Sequence, residues 1–501
     1  MMKIWLNTSP RVYSNGPECV NPDVHTAIII PSIYEIPFEQ VRESTLKQAS
    51  PLHMQEFLQE RWLVCCPTVS EQFAVLDEEA KFLFDQFRSP TVAASVVEYF
   101  PEWPADIIVR AISIFHKLKL LRESRAVTMY REEIAQTLTA WLHVTNACNL
   151  RCHYCYLQKT SEHMSGETAY KAVDAIFRSA VNHQYKKVVL KYAGGEASLQ
   201  LKQVMAIHDY ASQLAHQYGI QLEAILLSNG VMLSQIGIDE LKRRHIDVMI
   251  SLDGIGSSHD AQRPLLNGGN SFRYVMRTVE RLLNNDLVPH ISVTISRANL
   301  NGLPELVEYI LANDMPFTLN FYRENEYAVL ADDLRSGDEE MIAAMRSIFQ
   351  VVERHLPKAS LLGCLIDKAN LGVQHRHTCG MGHSYLVIDQ QGGVAKCHAN
   401  IKRTITTVNA EDPLQVIRNN HDGAVETPVD QKEGCRACEW RYWCSGGCAM
   451  LTYSVTGRND VKSPYCNVYK ALFPDVLRLE ALRLLHYEAP LDLNHDSRIP
   501  R

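Results

Sequence analysis

The sequence predicts an α/β protein centred on a partial (β/α)6, TIM-like barrel, with a winged-helix-like α+β module before it and a cysteine-rich domain after it. Three observations carry this. From Trp141 to about His355, six apolar strand-like runs alternate with six helical stretches. That alternation makes a parallel sheet with helices outside it, and six units are too few to close an eight-unit barrel. Upstream, paired short strands precede three helical pieces; downstream, seven cysteines recur at fixed spacings between Cys379 and Cys466. The expected divisions are 1–130 (module near 56–125), 136–355 for the barrel, 360–470 for the cysteine-rich domain, and 471–501 for a helix, Val476–Tyr487, and a polar tail.

Composition sets the frame for these elements. A chain of 501 residues, 46% hydrophobic and 21% charged, is long enough for two to four ordinary domains. A net charge of −7 without a Lys or Arg run argues against a nucleic-acid partner. No apolar stretch approaches bilayer length, and residues 1–30 lack a signal-peptide layout, so the expectation is a cytoplasmic protein with no membrane partner. Of the 14 cysteines, ten fall into two spaced groups, which in a reducing compartment points to metal binding rather than disulfides.

In order along the chain, residues 1–55 read as irregular, with one strand candidate at Ala27–Pro31. Trp62–Val69 and Gln72–Leu76 form the strand pair, and helices are expected at 78–87, 91–99 and 104–121. The last places Ile107, Ile108, Ala111, Ile112, Phe115, Leu118 and Leu121 on one face. This winged-helix-like pattern resembles the leader-peptide recognition (PqqD-like) elements fused to, or partnered with, peptide-modifying maturases. The resemblance implies capture of an extended peptide at the sheet edge, the other reading being a stabilising cap. Cys19, Cys65 and Cys66 show no ligand spacing and read as structural.

The barrel strands are expected at Trp141–Thr145, Lys187–Tyr192, Leu222–Leu227, Asp247–Leu252, His290–Ile295 and Phe317–Phe321. Helices are expected near 167–183, 200–218, 232–244, 271–285, 302–313 and 338–355, the first capped by Ser165. Directly after the first strand come Cys148, Cys152 and Cys155, spaced C-x3-C-x2-C. Three thiolates on one loop hold a metal centre without closing it, whereas a structural zinc site or a fully ligated iron–sulfur cube takes four. The loop, with Tyr154 before its last cysteine, resembles that of the radical S-adenosylmethionine (SAM) enzymes. The resemblance implies a [4Fe–4S] cluster whose open iron takes the amino acid end of SAM.

Ligand sites in parallel α/β sheets form at the C-terminal strand ends. After the second strand, Gly194-Gly195-Glu196 resembles the family's GGEP motif, which implies that the glutamate holds the SAM amino group; Ala197 stands where the motif has proline. Ser228 and Asn229 after the third strand and Ser251 after the fourth match the family's ribose and carboxylate contacts, and Tyr154 joins this cofactor-binding set. Arg263 sits where relatives face the SAM carboxylate or the substrate, or is a surface arginine. Asp253, Arg263 and Glu324 are the candidates for catalytic groups, with Tyr322 and Arg323 beside Glu324; Asp253 alternatively anchors its turn.

The seven downstream cysteines read C-x12-G-x4-C around Gly392, a gap, C-x2-C-x5-C-x3-C, a second gap, and a final cysteine. This resembles the SPASM extension of peptide-modifying radical SAM enzymes, with paired structural zinc sites as the other reading. The resemblance implies that Cys435, Cys438, Cys444 and Cys466 hold an outer [4Fe–4S] cluster and Cys379, Cys397 and Cys448 an inner one. Cys364 is the candidate for the missing eighth ligand, or else a buried apolar thiol. His377, His383 and His398 lie near these cysteines and read as hydrogen-bonded structural residues.

Together these readings imply a radical SAM peptide maturase with three [4Fe–4S] clusters. SAM would be cleaved to a 5′-deoxyadenosyl radical, and a C–C, C–O or thioether crosslink installed in a ribosomally made precursor peptide with a leader. A flavodoxin- or ferredoxin-type protein would be the reductant. Two alternatives stay open: sulfatase-maturase-like oxidation of a protein Ser or Cys, and a non-catalytic iron–sulfur electron carrier or scaffold.

Overall fold

A computed structural model describes residues 2–7, 41–69, 72–123, 135–328, 331–491 and 493; the strand expected at Ala27–Pro31 and Cys19 lie outside them. The N-terminal elements are β1 (Ile4–Leu6), β2 (Thr45–Gln48), β3 (His53–Leu58), β4 (Arg61–Cys65), β5 (Phe73–Leu76), α1 (Glu78–Asp85), β6 (Thr91–Val92), α2 (Ala93–Tyr99), α3 (Ala105–Lys117) and β7 (Leu121–Glu123). They form an antiparallel sheet in the order β1-β5-β4-β3 and a small sheet β6-β2-β7. The expected strand pair and three helices are present. Asp77 caps α1, accepting from the Ala80 amide at 2.9 Å and from that of Lys3 at 2.7 Å, which ties β1 to the module. The apolar face of α3 is buried from Ile107 to Phe115. Five strands, β1 to β3, β6 and β7, were not expected: they are short, and His53-Met54-Gln55-Glu56 shows no apolar alternation. Helix α3 ends at Lys117, so Leu121, expected on its apolar face, opens β7 instead.

The central elements are β8 (Thr137–Thr145), α4 (Gly166–Asn182), β9 (Lys187–Gly194), α5 (Leu201–Tyr218), β10 (Gln221–Ser228), α6 (Gln235–Arg243), β11 (Ile246–Ser251), α7 (Ser257–Asp260), α8 (Phe272–Asn284), β12 (His290–Ile295), α9 (Leu303–Ala312), β13 (Phe317–Phe321), α10 (Ala331–Leu334) and α11 (Asp338–Arg354). Strands β8 to β13 are parallel and lie side by side in chain order. Consecutive order with right-handed crossovers puts the crossover helices on one face and curls the sheet into a partial barrel. Ser165 caps α4 by accepting from the Thr168 amide, as expected. Leu138, Ala140 and Leu142 of β8 and Val188 and Leu190 of β9 pack into the main core with the helices. The alternate positions form a polar inner face, where His290 meets Thr318 at 3.3 Å and Asn320 meets Ser292 at 3.3 Å.

The last elements are β14 (Tyr385–Ile388), β15 (Gly393–Ala395), β16 (Thr404–Thr407), α12 (Pro413–Asn419), α13 (Arg441–Cys444), α14 (Ala449–Thr456) and α15 (Cys466–Tyr487). Here β14 pairs parallel with β8, and β15 and β16 extend it, so the sheet has nine strands. The cysteine-rich region therefore continues the barrel sheet. The C-terminal helix, expected from Val476, starts ten residues earlier at Cys466 and runs through Pro474. Proline removes one helical hydrogen bond. Packing on α11 holds the helix across that gap, with ion pairs Arg346–Asp475 at 2.9 Å and Arg478–Glu353 at 2.6 Å. The boundary expected at 470/471 falls inside this helix. Among the described residues, no helix is long and apolar enough to cross a membrane.

Candidate active site and cysteine clusters

The cysteine loop leaves the end of β8 and is fixed from both sides. On one side, Arg151 and His153 donate their amides to the carbonyls of Pro264 (2.8 Å) and Gln262 (3.0 Å), and Leu266 donates to that of Asn149 (2.9 Å). On the other, the end of β9 donates from Gly195 to the Thr145 carbonyl (2.6 Å) and from Glu196 to that of Ala147 (2.9 Å). This second contact explains the two glycines. A Cβ on Gly194 would lie 2.5 Å from the Thr145 carbonyl oxygen, and one on Gly195 would lie 2.6 Å from that of Asn146 and closer still to that of Ala147. The two glycines of the motif thus admit the cysteine loop itself.

Burial raises the Cys148 thiol and pushes that of Cys152 up to about 12, with the neighbouring thiols adding to both. Lys159 opposes this. Burial lowers its pKa, but the three thiols around it raise it further, and it hydrogen-bonds Cys155. Sequence reasoning missed this residue, four positions past the last cysteine of the loop, because a single lysine carries no motif.

Glu196, buried at the ends of β9 and β10, is held by three donors: the Ser198 amide (3.0 Å) and Ser228 hydroxyl (2.8 Å) on Oε1, and the Asn229 amide (2.6 Å) on Oε2. A carboxylate accepts about four such bonds, so one acceptor direction is left. Asn229 also reaches the cysteine loop, donating from Nδ2 to Asn149 Oδ1 (2.7 Å) and lying 3.8 Å from Cys148 Sγ. The expected group of Glu196, Ser228 and Asn229 is thus brought together against Cys148. Ser251 ends β11, half-buried, in register with Ser292 of β12.

Tyr154, Asp253 and Arg263 form a second buried group. The Tyr154 hydroxyl donates to Asp253 Oδ2 at 2.6 Å and accepts from Arg263, which also pairs with Asp253 at 3.5 Å. Asp253 Oδ1 accepts the Thr294 amide at 2.8 Å, and the residue has 0% exposure. Burial raises its carboxyl, and Arg263 opposes this. Arg263 is therefore no surface arginine: its charge is spent on Tyr154 and Asp253, beneath Cys152. Glu324 lies apart from this group, ion-paired with Arg335, while Arg323 pairs with Asp367 at 2.6 Å.

Residues 142–310 match the family model described as the radical SAM superfamily. The chain carries a radical SAM domain. Along 367 residues it is 20% identical to a cysteine-type anaerobic sulfatase-maturating enzyme of Clostridium perfringens, spanning 66% of this chain and 93% of that one. It is 22% identical over 351 residues to a PqqA peptide cyclase of Bradyrhizobium diazoefficiens, covering 66% and 86%. The crystal structure of Streptococcus suis SuiB bound to precursor peptide SuiA superposes with a TM-score of 0.50 at 14% identity, covering 84% of this chain and 99% of that one. At that identity the likeness is one of fold.

Beyond the radical SAM domain, the cysteines of the second group lie in two places. Cys435, Cys438, Cys444 and Cys466 line one small cavity with Trp440, Lys462 and Tyr469. Burial pushes Cys435 up to about 11 and Cys444 up to about 12. Cys379 and Cys397 share a separate apolar cluster with Ala424 and Ala449, the residue after Cys448. Thr378 fastens this arrangement, its hydroxyl shared between the carbonyls of Gly447 (2.7 Å) and Ser445 (3.1 Å). Among the described residues, no group of three or more His, Cys, Asp or Glu side chains converges as ligands of one ion would.

Cys364 does not join them. It is buried in the main core with Leu361, Leu362 and Leu365, where its sulfur meets the Leu361 carbonyl at 3.6 Å, and burial pushes it above the usual thiol range. Its apolar surroundings match the alternative reading of a buried thiol. Of the histidines, His377 and His383 lie with ring centroids 4.4 Å apart, and His398 stacks on Trp141 of β8 at 4.5 Å.

Proposed function

We propose that this protein is a radical SAM peptide maturase that installs a crosslink in a ribosomally made precursor peptide. One observation carries the reading: the two cysteine regions meet at the mouth of the barrel. His398, next to Cys397, stacks on Trp141, accepts or donates a hydrogen bond with Tyr385 at 3.1 Å, and lies with its ring centroid 5.7 Å from that of Tyr156, next to Cys155. A peptide seated there would lie beside both.

The donor set fits the family's cofactors. Cys148, Cys152 and Cys155 would hold a [4Fe–4S] cluster with one iron left open, and Lys159 offsets the negative charge of its thiolates. The remaining acceptor direction on Glu196 suits the SAM ammonium, and Ser251 at the next strand end would meet the ribose. When bound, these groups supply reductive cleavage of SAM to a 5′-deoxyadenosyl radical. The chain's part is to position SAM and exclude water. The Tyr154–Asp253–Arg263 group holds the floor of the cysteine loop, so Asp253 and Arg263 read as positioning residues. Cys435, Cys438, Cys444 and Cys466 would hold an outer auxiliary cluster, and Cys379, Cys397 and Cys448 an inner one. A flavodoxin- or ferredoxin-type protein would supply the electrons.

The N-terminal module supports a peptide substrate with a leader. Its sheet has two edges: β1 is covered by Leu491, which donates to the Ile4 carbonyl at 2.8 Å, while β3 pairs only with β4 among the described residues. A leader adding to β3 would gain main-chain hydrogen bonds.

The test is anaerobic co-expression with the short reading frame beside the gene, followed by mass spectrometry of that peptide. Loss of two hydrogens per event, with fragmentation blocked across a span of residues, supports a crosslinking maturase. An unchanged peptide with SAM still cleaved moves the reading to oxidation of a protein Ser or Cys, in line with the likeness to the sulfatase-maturating enzyme. Absence of 5′-deoxyadenosine from the fully loaded, reduced protein overturns radical chemistry and leaves an electron carrier.

A further inference from the structure

The inner cysteine trio is one ligand short of a closed cubane, and Cys364 lies elsewhere. The structure places a different side chain beside the trio. Glu426 follows Ala424, which packs against Cys397, on the irregular segment between α12 and the turn at 429–431. Its carboxylate is only 4% exposed. Oε1 accepts the Thr378 amide at 2.9 Å, and Oε2 faces the Cys379 thiol at 3.8 Å.

A buried carboxylate is costly unless a charge or several donors compensate it. Here the compensation is incomplete. Burial still raises the Glu426 carboxyl, although the nearest cation, the buried Lys432, favours its charged form from a distance while donating from its ammonium to the Ser445 carbonyl at 3.2 Å. So one oxygen of Glu426 is anchored by the Thr378 amide, and the other meets a thiol of the trio. Carboxylates are ordinary ligands of iron.

We infer that Glu426 is the fourth protein ligand of the inner auxiliary cluster, completing the set Cys379, Cys397, Cys448 through Oε2. The inference rests on the cluster assignment proposed above. Thr378 is the hinge of the site: its amide orients the carboxylate, and its hydroxyl fixes the turn that carries Cys448. With Glu426 in place the inner cluster has no iron open to a substrate thiolate. Its role is then electron transfer rather than substrate binding.

The test compares wild type, E426Q, E426C and C379A, reconstituted anaerobically with 57Fe and held under saturating SAM so that the first cluster is closed. Iron content, the EPR of the reduced auxiliary clusters and uptake of 13C-cyanide are read. Wild type is expected to show no 13C coupling at an auxiliary cluster. E426Q, which keeps an acceptor for the Thr378 amide, is expected to take cyanide at one cluster or to lose one cluster's iron. Where iron is lost, recovery in E426C, which offers a thiolate, supports ligation. Loss in both variants, or spectra and iron content in E426Q equal to wild type, overturns it. C379A separates the two levels: if it leaves iron and spectra unchanged, the inner cluster itself is absent, whereas a cluster lost in C379A with E426Q unaltered defeats only the assignment of Glu426.

Discussion

The loop carrying Cys148, Cys152 and Cys155 and the segment carrying Cys435 to Cys466 gather their thiols in opposite ways. The first is held almost entirely by backbone: two strand ends and the 262–266 segment pin it, and its Gly194-Gly195 neighbour has no room for a side chain. The second is held by turns, short helices and the start of α15, and its four thiols line a cavity. A site that must keep one position open for a ligand needs a scaffold that stays put without the metal's help. A site closed by four thiolates can take part of its order from the metal, because binding energy there becomes folding energy.

The sharpest way to break this comparison is to delete one thiol from each. Cys152→Ala should abolish 5′-deoxyadenosine formation and remove one cluster's iron, yet leave the unfolding midpoint close to that of wild type. Cys438→Ala should remove a cluster with a clear fall in midpoint, while SAM cleavage survives. Equal losses of stability in calorimetry would show that both sites depend on metal for order.

Next in size is Gly195→Ala. A methyl directed at the carbonyls of Asn146 and Ala147 overpacks the loop, which costs about 1–3 kcal/mol. Denaturant unfolding should show that loss, with reduced iron in the first cluster only. A neutral result would mean that the loop yields, contrary to the contrast drawn here.

Smaller again is Glu196→Gln. The amide keeps the shape, yet the charge-assisted bond to an ammonium is weakened, worth about 1.5–3 kcal/mol or roughly 10- to 150-fold in affinity. SAM binding by calorimetry should weaken by that order with iron content unchanged. A change in iron instead would show that Glu196 serves the loop, through Asn229 and Cys148, and not the cofactor.

How much of this was legible beforehand follows the same division. The barrel strands and helices stood out because each unit repeats a period, and the cysteines because spacing survives in sequence. Residues that act across long separations did not. Tyr385–Ile388 is a short apolar run that reads like any core segment, yet it joins β8 across some 240 residues of chain and fuses the cysteine-rich region to the barrel. The last helix, expected only from Val476, begins before Pro474 because tertiary packing on α11 carries it through the proline. Lys159 and Glu426 are single charged residues whose meaning lies only in what burial places beside them.

The smallest effect expected is a pH dependence that reverses with metal. In the metal-free protein, burial holds Cys152 and Cys444 up to about 12 and Cys435 up to about 11, against an ordinary value of 9.0. A raised folded-state pKa means that the unfolded chain loses these protons first. The stability they contribute is therefore present below about pH 9 and lost as pH rises through the window up to 11–12. In the loaded protein the same thiols must be deprotonated to bind, so acid, not alkali, favours release. Urea unfolding of the metal-free protein between about pH 8 and pH 10.5 should show falling stability, with a shallower slope in Cys152→Ala and in Cys444→Ala alike, since burial raises both to the same extent. A flat profile would mean that the thiols are wetter than the fold implies. A slope removed by Cys444→Ala alone would mean that Lys159 and Arg263 already hold the first loop's thiols ready for metal, which would sharpen the contrast between the two sites.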